Sequence, residues 1–309
     1  MLSAFTVDVV RSGVVVATLV AVAISASTLV FAPVVHAQVP ATDEAWLDRV
    51  NDFRSSLRLD PVREDPAMSK AARLHSTYMV ETGFIEHGEK ADSPWRTPAG
   101  HQAGEQSNVA GGTGTPPTQG QAVDLWIEGP FHRLGLMRPG WRTTGFALET
   151  GMRDGERRWG ATLNVIGGLT GSSSANWPIV WPNARRAVDT SFLQFERVEW
   201  PDPAVGCPKA NDTDYGTIVT ASFGPGAAPK VKSVRLRAIG GDPVPICKHT
   251  AATYKKDDYT DVGWRLLDEN NTVMVLPRVV LRPGTTYQGR ITLKDGRRAP
   301  IRFTTAAAS

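Results

Sequence analysis

The stretch Ala103-Gly104-Glu105-Gln106-Ser107-Asn108-Val109-Ala110 lies between a helical pattern that carries His75 and a segment that runs from Trp126 to His132. Two imidazoles and the Glu105 carboxylate are therefore distant along the chain, and only a packed fold would bring them together. Such a grouping of ionisable side chains is typical of a binding or catalytic cleft. We take His75, Glu105 and His132 as the candidate site.

Helical periodicity surrounds this stretch. A first helix is predicted from apolar residues at spacings of three or four, namely Trp46, Val50, Phe53 and Leu57. A second helix begins near Asp65-Pro66, an acidic cap followed by proline, and ends before Gly83. His75 lies on its apolar face, so the imidazole points into the protein or into a cleft. A third helix is predicted over 119–127.

Two alternating runs then predict an antiparallel hairpin. They cover Thr144 to Leu148 and Trp159 to Val165, and the turn Arg153-Asp154-Gly155-Glu156 joins them. The segment from Gly111 to Gly120 is interpreted as a surface loop. Helices on a small antiparallel sheet predict an α+β first domain.

The second half is predicted to contain strands and no helix. Short apolar runs are separated by turn residues, and they are Phe192 to Val198, Tyr215 to Phe223, Val231 to Ile239, Trp264 to Leu267, Val273 to Leu276, Thr286 to Leu293 and Ile301 to Thr305. About seven strands in roughly 130 residues favour an all-β immunoglobulin-like sandwich. The Gly- and Ser-rich run at 167–174 predicts a linker, with a boundary near residue 172.

The first residues predict export. An apolar run from Gly13 to Ala32 follows Arg11, and Pro33 and Ala37 come after it, so residues 1–37 are interpreted as a signal peptide. An uncleaved membrane anchor is the competing interpretation, because the run approaches the roughly 20 residues that span a bilayer. After cleavage no integral membrane span is expected. The protein would be secreted or held in the cell envelope.

The composition limits the classes of partner and of bonding that we expect. The net charge is +3 without a run of five or six like charges, so nucleic acid is not an expected partner. Cys207 and Cys247 are the two cysteines of the chain, and export favours a disulfide between them. A metal site would need more ligands than His249 alone adds.

A family resemblance now follows from motifs that occur in order. They are Asn51 with Arg54, Ala71-Ala72 before His75, Gly104-Glu105, Trp126 before His132-Arg133, and the strand at Gly145-Phe146. Over residues 44–167 the chain resembles bacterial members of the CAP superfamily, which groups cysteine-rich secretory, antigen 5 and pathogenesis-related proteins and carries an SCP-like domain. The resemblance implies an α-β-α sandwich. Residues 168–180 then form the linker, and 181–306 are similar to a β-rich module that accompanies some bacterial CAP domains.

The resemblance also implies a cleft with two histidines and one or two glutamates. The motifs place these on His75, Glu105 and His132, with Glu128 as the fourth residue. The chain departs from the family pattern at two positions. Glu128 follows Trp126 by two positions where the eukaryotic relatives have three, and Gln106 follows Glu105 where the family usually has asparagine.

Such a cleft has two candidate chemistries. His75 and His132 could hold zinc or another divalent cation with Glu105, and an open fourth position would carry a water with a pKa of about 7. Without metal, one histidine could act as a general base oriented by Glu105. Neither Ser76 nor Ser107 has the sequence context of a nucleophile.

Structural roles are the alternatives. His75 could be a core histidine with a satisfied hydrogen bond, and Glu105 could cap a helix or pair with Arg133. His87 and His101 lie in Gly- and Pro-rich loops, so they are expected to be exposed turn residues and are left out of the site. Tryptophans 46, 95, 126, 141 and 159 are expected to fill the core.

Two functions therefore remain open. In the first, an exported CAP-domain protein binds a divalent metal, a lipid or sterol, a glycan or a protein in its cleft. In the second, the same cleft is a metal-dependent hydrolase or peptidase. Loss of His75 or His132 would only weaken binding, whereas it would abolish metal catalysis. Binding is favoured, because the sequence contains no complete catalytic constellation.

Overall fold

The computed structural model describes residues 45–171, 175–192, 200–208, 214–254 and 261–308. The predicted signal peptide at 1–37 and most of the predicted strand Phe192 to Val198 lie outside the described residues. None of the helices within the described ranges combines the length and the apolar character needed to cross a bilayer.

The first half contains five helices and five strands among its described residues. The helices are α1 (Trp46–Ser56), α2 (Pro66–Thr82), α3 (Pro98–Glu105), α4 (Gln119–Glu128) and α5 (His132–Leu136). The strands are β1 (Arg63–Glu64), β2 (Ser107–Thr113), β3 (Thr143–Thr144), β4 (Phe146–Arg153) and β5 (Glu156–Asn164). The predicted helices and the predicted hairpin are confirmed. Helix α3 was not predicted, and β2 overlaps the segment that was interpreted as a loop.

Local chemistry explains the bounds of α2. The Asp65 side chain accepts hydrogen bonds from the first turn, and Pro66 occupies the first helical position. At the other end Gly83 has a φ of 73°, the left-handed conformation that glycine adopts at little cost. Both signals were readable in the sequence.

Helices contact both faces of the sheet β2-β5-β4. On one face, Trp46 of α1 and Trp126 of α4 contact the ring of Phe146 at centroid distances of 5.3 and 6.3 Å. On the other face, the Ser76 hydroxyl of α2 donates to Thr162 of β5 at 2.9 Å. The first half is thus a mixed α/β unit with its core on both sides of a three-stranded sheet.

The second half contains β6 to β15 and one helix, α6, among its described residues. The strands are β6 (Ile179–Trp181), β7 (Ala187–Val188), β8 (Ser191–Phe192), β9 (Tyr215–Gly216), β10 (Val219–Ser222), β11 (Val231–Ala238), β12 (Ile246–His249), β13 (Thr272–Pro277), β14 (Thr286–Leu293) and β15 (Arg298–Thr305). They form two four-stranded sheets, β12-β13-β10-β6 and β11-β14-β15-β7, and a pair, β8-β9.

The prediction of a strand at Trp264 to Leu267 is wrong. These residues belong to α6 (Asp261–Glu269), and Leu267 is fully buried while Trp264 is 37% exposed. A short apolar run does not distinguish a strand from one turn of an amphipathic helix. The prediction of a second half without a helix fails for the same reason, and β12 was not predicted.

The two halves share one hydrophobic core. Its members include Trp126 and Phe131 of the first half and Ile218 and Tyr254 of the second. Phe131 and Tyr254 meet edge to face with ring centroids 5.4 Å apart. The segment after α4, which carries His132, is therefore packed against the β-rich half. The predicted domain boundary near residue 172 lies outside the described residues and stays a prediction.

The predicted disulfide is confirmed. Cys207 and Cys247 are bonded, with Cα atoms 5.8 Å apart and a sequence separation of 40. His249 is buried beside the bridge, and this burial lowers the pKa of its imidazole to about 4.

Candidate functional site

His75 is enclosed within the protein and faces no open cleft. Its side chain is 0% exposed, and both ring nitrogens are engaged by the loop that follows α2. Nδ1 lies 3.0 Å from Oε1 of Glu89, whose side chain is also 0% exposed, and Nε2 lies 3.0 Å from the Glu86 carbonyl oxygen. Tyr78 stacks beside the imidazole at a centroid distance of 6.0 Å.

These partners determine how the ring can act. The Glu86 carbonyl can only accept, so Nε2 carries a proton, and Nδ1 shares a further proton with the Glu89 carboxyl group. Neither nitrogen keeps a lone pair for a cation. The other Glu89 oxygen accepts from the Thr97 backbone N–H at 2.9 Å, which ties the start of α3 to the same group. The geometry thus matches the alternative interpretation of His75 as a core residue.

We expect His75→Ala to lower the free energy of unfolding by about 2 kcal/mol, because it leaves the buried Glu89 carboxyl group without its partner. The exposed variant Glu105→Ala should change that free energy by less than about 0.5 kcal/mol. Urea unfolding followed by tryptophan fluorescence measures both. Equal losses in the two variants would contradict a structural role for His75.

Glu105 lies at the end of α3 with 60% of its side chain exposed. Its carboxylate lies 3.5 Å from Nε2 of His101, four residues earlier on the helix. Nδ1 of His101 accepts from the Glu89 backbone N–H at 2.9 Å, so the proton of this ring is on Nε2. The surface pair that Glu105 forms is with His101, and no described contact joins it to Arg133.

His87 and His132 are held around the junction of α3 and β2. Nδ1 of His87 lies 3.0 Å from the Gly104 carbonyl oxygen, and Nδ2 of Asn108 donates to the His132 carbonyl at 3.0 Å. Gly104 is necessary for this packing: a Cβ there would lie 2.2 Å from the His87 carbonyl oxygen and 2.4 Å from Cε1 of His75. The quoted stretch from Ala103 to Ala110 therefore positions two histidines, of which one had been left out.

The electrostatics of His87 reflect this surrounding. The pKa of its imidazole is lowered from the ordinary value, first because burial of the ring by protein atoms disfavours the charged form. The Gly104 carbonyl opposes that shift, and the nearby His132 and His75 add to it. The residue retains exposed surface, as expected for its loop, yet the ring is close enough to two other imidazoles to sense their charge.

Glu128 lies four residues before His132 and lines a cavity of the protein. It is half-buried at the end of α4 and lines a cavity of 810 Å³ with residues of α1, α4 and 181–189. Trp181 and Phe53 contribute apolar surface to this cavity, while Arg185 and Asp52 contribute charge. The candidate residues that do not line it are His75, His87, Glu105 and His132. Glu128 is thus the candidate residue that lines this cavity, and its place beside the histidines stays a prediction.

The two serines near the site have structural partners. The Ser107 hydroxyl donates to the Ala103 carbonyl at 2.6 Å, and the Ser76 hydroxyl donates to Thr162. Both residues are buried. Neither hydroxyl is hydrogen-bonded to a histidine in the described contacts, so the geometry supplies no activated serine nucleophile.

The sequence does not predict His87 as a site residue, because a Gly- and Pro-rich loop is typical of an exposed turn. The one local signal is the pattern Glu86-His87-Gly88-Glu89, in which two acidic residues bracket a histidine. Glu86 and Glu89 both reach back to α2, through the Tyr78 hydroxyl and the His75 ring. Those contacts fix the loop, but they depend on tertiary packing that no local pattern displays.

Helices lie on both faces of the small sheet, and histidines surround the α3–β2 junction. Residues 47–163 match the family model described as the cysteine-rich secretory protein family, CAP. Over these residues the chain is therefore similar to the CAP family. A search of curated proteins gives no match.

Three solved structures are similar to part of the chain. MpPR-1i is 14% identical, with 42% of this chain and 93% of that chain covered and a TM-score of 0.30. An outer surface protein from Borrelia burgdorferi is 17% identical, with coverages of 38% and 87% and a TM-score of 0.28. An extracellular protein containing an SCP domain from Bacillus anthracis str. Ames is 18% identical, with coverages of 38% and 38% and a TM-score of 0.25.

Proposed function

We propose that this protein is an exported, non-enzymatic binding protein whose CAP domain takes a divalent cation at His87 and His132. The single observation that carries the proposal is the α3–β2 junction itself, where Nδ1 of His87 lies 3.0 Å from the Gly104 carbonyl oxygen and Asn108 donates to the His132 carbonyl at 3.0 Å. It rests further on the predicted leader at 1–37, which would direct the protein to the envelope or the outside.

The donor atoms fit a cation such as zinc. With the Gly104 carbonyl as the partner of Nδ1, His87 would present Nε2 to the cation, the arrangement in which histidines bind metals with a backbone carbonyl behind them. The desolvated ring remains neutral at neutral pH, as a ligand must. His132 would be the second ligand, and water or a group from a bound partner would complete the coordination.

His75 supports this site from behind. Its contacts with Glu86 and Glu89 hold the loop on both sides of His87, so its expected role is to position that loop and not to bind the cation. Glu105 would remain near the surface, where its carboxylate adds negative charge beside the site.

The fold-level proposals follow from the same resemblance. We propose that the first half is the α-β-α sandwich of the family and that residues 181–306 form an immunoglobulin-like module. The 810 Å³ cavity, which both halves line, offers room for an organic ligand such as a lipid, sterol or glycan. Its lining combines aromatic surface with charged groups.

A metal-dependent hydrolase or peptidase is the alternative. It would need a cation at the same two histidines, with a bound water whose pKa falls toward about 7. The buried, structurally engaged hydroxyls of Ser76 and Ser107 favour simple binding over a serine-based route. Zinc-dependent cleavage of a peptide or ester substrate would establish this alternative.

Isothermal titration of the purified, non-reduced protein with zinc tests the proposal. We expect one equivalent of zinc to bind to the unaltered protein and none to His87→Ala or His132→Ala, because each removes one of the two ligands. His75→Ala should lose stability and still bind one equivalent of zinc with lower affinity, because His75 positions the loop that carries His87 without contacting the cation. The exposed variant Arg73→Met is the matched control that should leave both stability and zinc binding unchanged.

Two outcomes would overturn the assignment. Unchanged titration in both His87→Ala and His132→Ala would exclude them as ligands. Loss of zinc binding in a folded His75→Ala protein, checked by near-ultraviolet circular dichroism, would restore His75 to the site and contradict its structural role.

A further inference from the structure

A second group of metal-binding residue types lies in the β-rich half, apart from the CAP domain. It comprises Cys207, Cys247 and His249, whose ligand atoms lie within 4.8 Å of one another. Cys207 and His249 are each 3% exposed, and Cys247 is half-buried. Within the described residues, this is the group of three or more such side chains that comes close enough to hold one ion.

Local structure fixes all three residues. Cys247 and His249 are two positions apart on β12, so their side chains lie on the same face of an edge strand. Cys207 lies in a turn, and its backbone N–H donates to the Ala204 carbonyl at 2.8 Å. Tyr254 packs edge-on against the imidazole with a centroid distance of 5.3 Å.

The orientation of His249 points to a ligand. Its Nε2 lies 3.0 Å from Sγ of Cys207, while Nδ1 faces the Thr253 backbone without a hydrogen bond of normal geometry among the described atoms. A disulfide sulfur carries no proton and accepts only weakly. The buried ring is therefore poorly satisfied in the oxidised protein, and a polar group in that state calls for an explanation.

We propose that Cys207, Cys247 and His249 form a zinc site that opens when their disulfide is reduced. Nε2 of His249 would then be the nitrogen ligand, with Nδ1–H directed at the Thr253 backbone, the usual second-shell partner of a metal-bound histidine. Two thiolates and one imidazole supply three positions of a tetrahedral zinc site, and water supplies the fourth.

The chemistry balances with a phosphine as the reductant. The phosphorus atom donates two electrons to the S–S bond and takes one oxygen atom from water, giving a phosphine oxide and two cysteine thiols. Zinc then displaces the two thiol protons into solvent and binds both sulfurs. Opening the S–S bond also lets the sulfurs separate to the roughly 3.7 Å that two zinc–sulfur bonds of about 2.3 Å require.

The site would keep the loop between Cys207 and Cys247 closed in both redox states. In the oxidised state the disulfide joins Cys207 to β12, and in the reduced state zinc joins the same two points through His249. The proposal does not rest on the cation site at His87 and His132, since it uses different residues and a different condition.

The test measures zinc bound to the full protein before and after treatment with a water-soluble phosphine. We expect one additional equivalent after reduction, retained through desalting, and none in reduced His249→Ala. Cobalt in place of zinc should give an intense thiolate-to-cobalt charge-transfer band in the reduced protein that the variant lacks. His132→Ala is the matched control, because it should lose the equivalent bound without reductant and keep the one that reduction adds.

The outcomes separate the two sites. The proposal is overturned if the reduced protein binds no additional equivalent of zinc. It is also overturned if reduced His249→Ala binds the additional equivalent and gives the same cobalt spectrum as the unaltered protein. If reduction alone weakens the near-ultraviolet circular dichroism, zinc should restore it in the unaltered protein and not in His249→Ala. Failure of restoration in both would also overturn the proposal.

Discussion

Replacing Arg133 by methionine is expected to lower the free energy of unfolding by about 3–5 kcal/mol. The guanidinium is 1% exposed and donates to three backbone carbonyls: Ile127 at 2.7 Å, Glu128 at 2.5 Å and Ile218 at 2.8 Å. Methionine preserves much of the volume but offers no donor, so the carbonyls lose a charge-assisted partner in a buried place.

The loss should be large because Arg133 also joins the two halves. Ile218 lies in the β-rich half, and the guanidinium lies over the Trp181 ring of β6 at 3.8 Å. Lysine would keep the charge but cannot reach three carbonyls with one planar fork, so Arg133→Lys should lose most of the same stability.

Urea unfolding followed by tryptophan fluorescence checks this prediction. The matched control is Arg73→Met, because the Arg73 side chain is 72% exposed in its pair with Glu149 and should contribute less than about 1 kcal/mol. A loss below about 1 kcal/mol in Arg133→Met would show that the buried network is not a major source of stability. A lower zinc affinity in the folded variant would further connect this network to the adjacent His132.

Elements with strong local signals were predictable from the sequence. The ends of α2 are set by local residues. Asp65 accepts hydrogen bonds from the backbone N–H groups of the first turn, Pro66 occupies the first helical position, and Gly83 ends the helix. The hairpin β4–β5 has a readable turn at Asp154-Gly155, where both residues have positive φ.

The missed elements depend on distant partners. β2 contains Gly111 and Gly112, which show no alternation, and it forms because its backbone pairs with β5 over Ser107 to Thr113. Helix α3 does carry Thr97 as a cap and Pro98 at its start, but its two glycines weaken the helical pattern.

The candidate site was only partly predictable for the same reason. The spacing of apolar residues on α2 correctly predicts that His75 faces inward. It cannot show that Glu86 and Glu89 contact both nitrogens of the His75 ring. Likewise, nothing local to His87 indicates that the Gly104 carbonyl would orient it beside His132. Helix periodicity determines the side on which a residue lies, whereas its chemistry depends on the loop that packs against it.

Removal of the disulfide is expected to lower the free energy of unfolding by about 4 kcal/mol in the chain-entropy model. The double variant Cys207→Ser, Cys247→Ser opens a loop whose ends are 40 residues apart in sequence. The unfolded chain gains conformational freedom, while the folded chain retains the pairing of β12 with β13. The loss should therefore be close to that produced by phosphine reduction of the unaltered protein.

Thermal and urea unfolding of four samples check this effect: the unaltered protein and the double variant, each with and without phosphine. The double variant should be insensitive to the reductant, since its chain contains no other cysteine. A loss below about 1 kcal/mol would show that relief of strain in the folded state offsets the conformational entropy that the unfolded state gains when the disulfide is removed. Zinc distinguishes the two open-loop forms, because it should return part of the lost stability to the reduced protein, which keeps both thiols beside His249, and none to the serine variant.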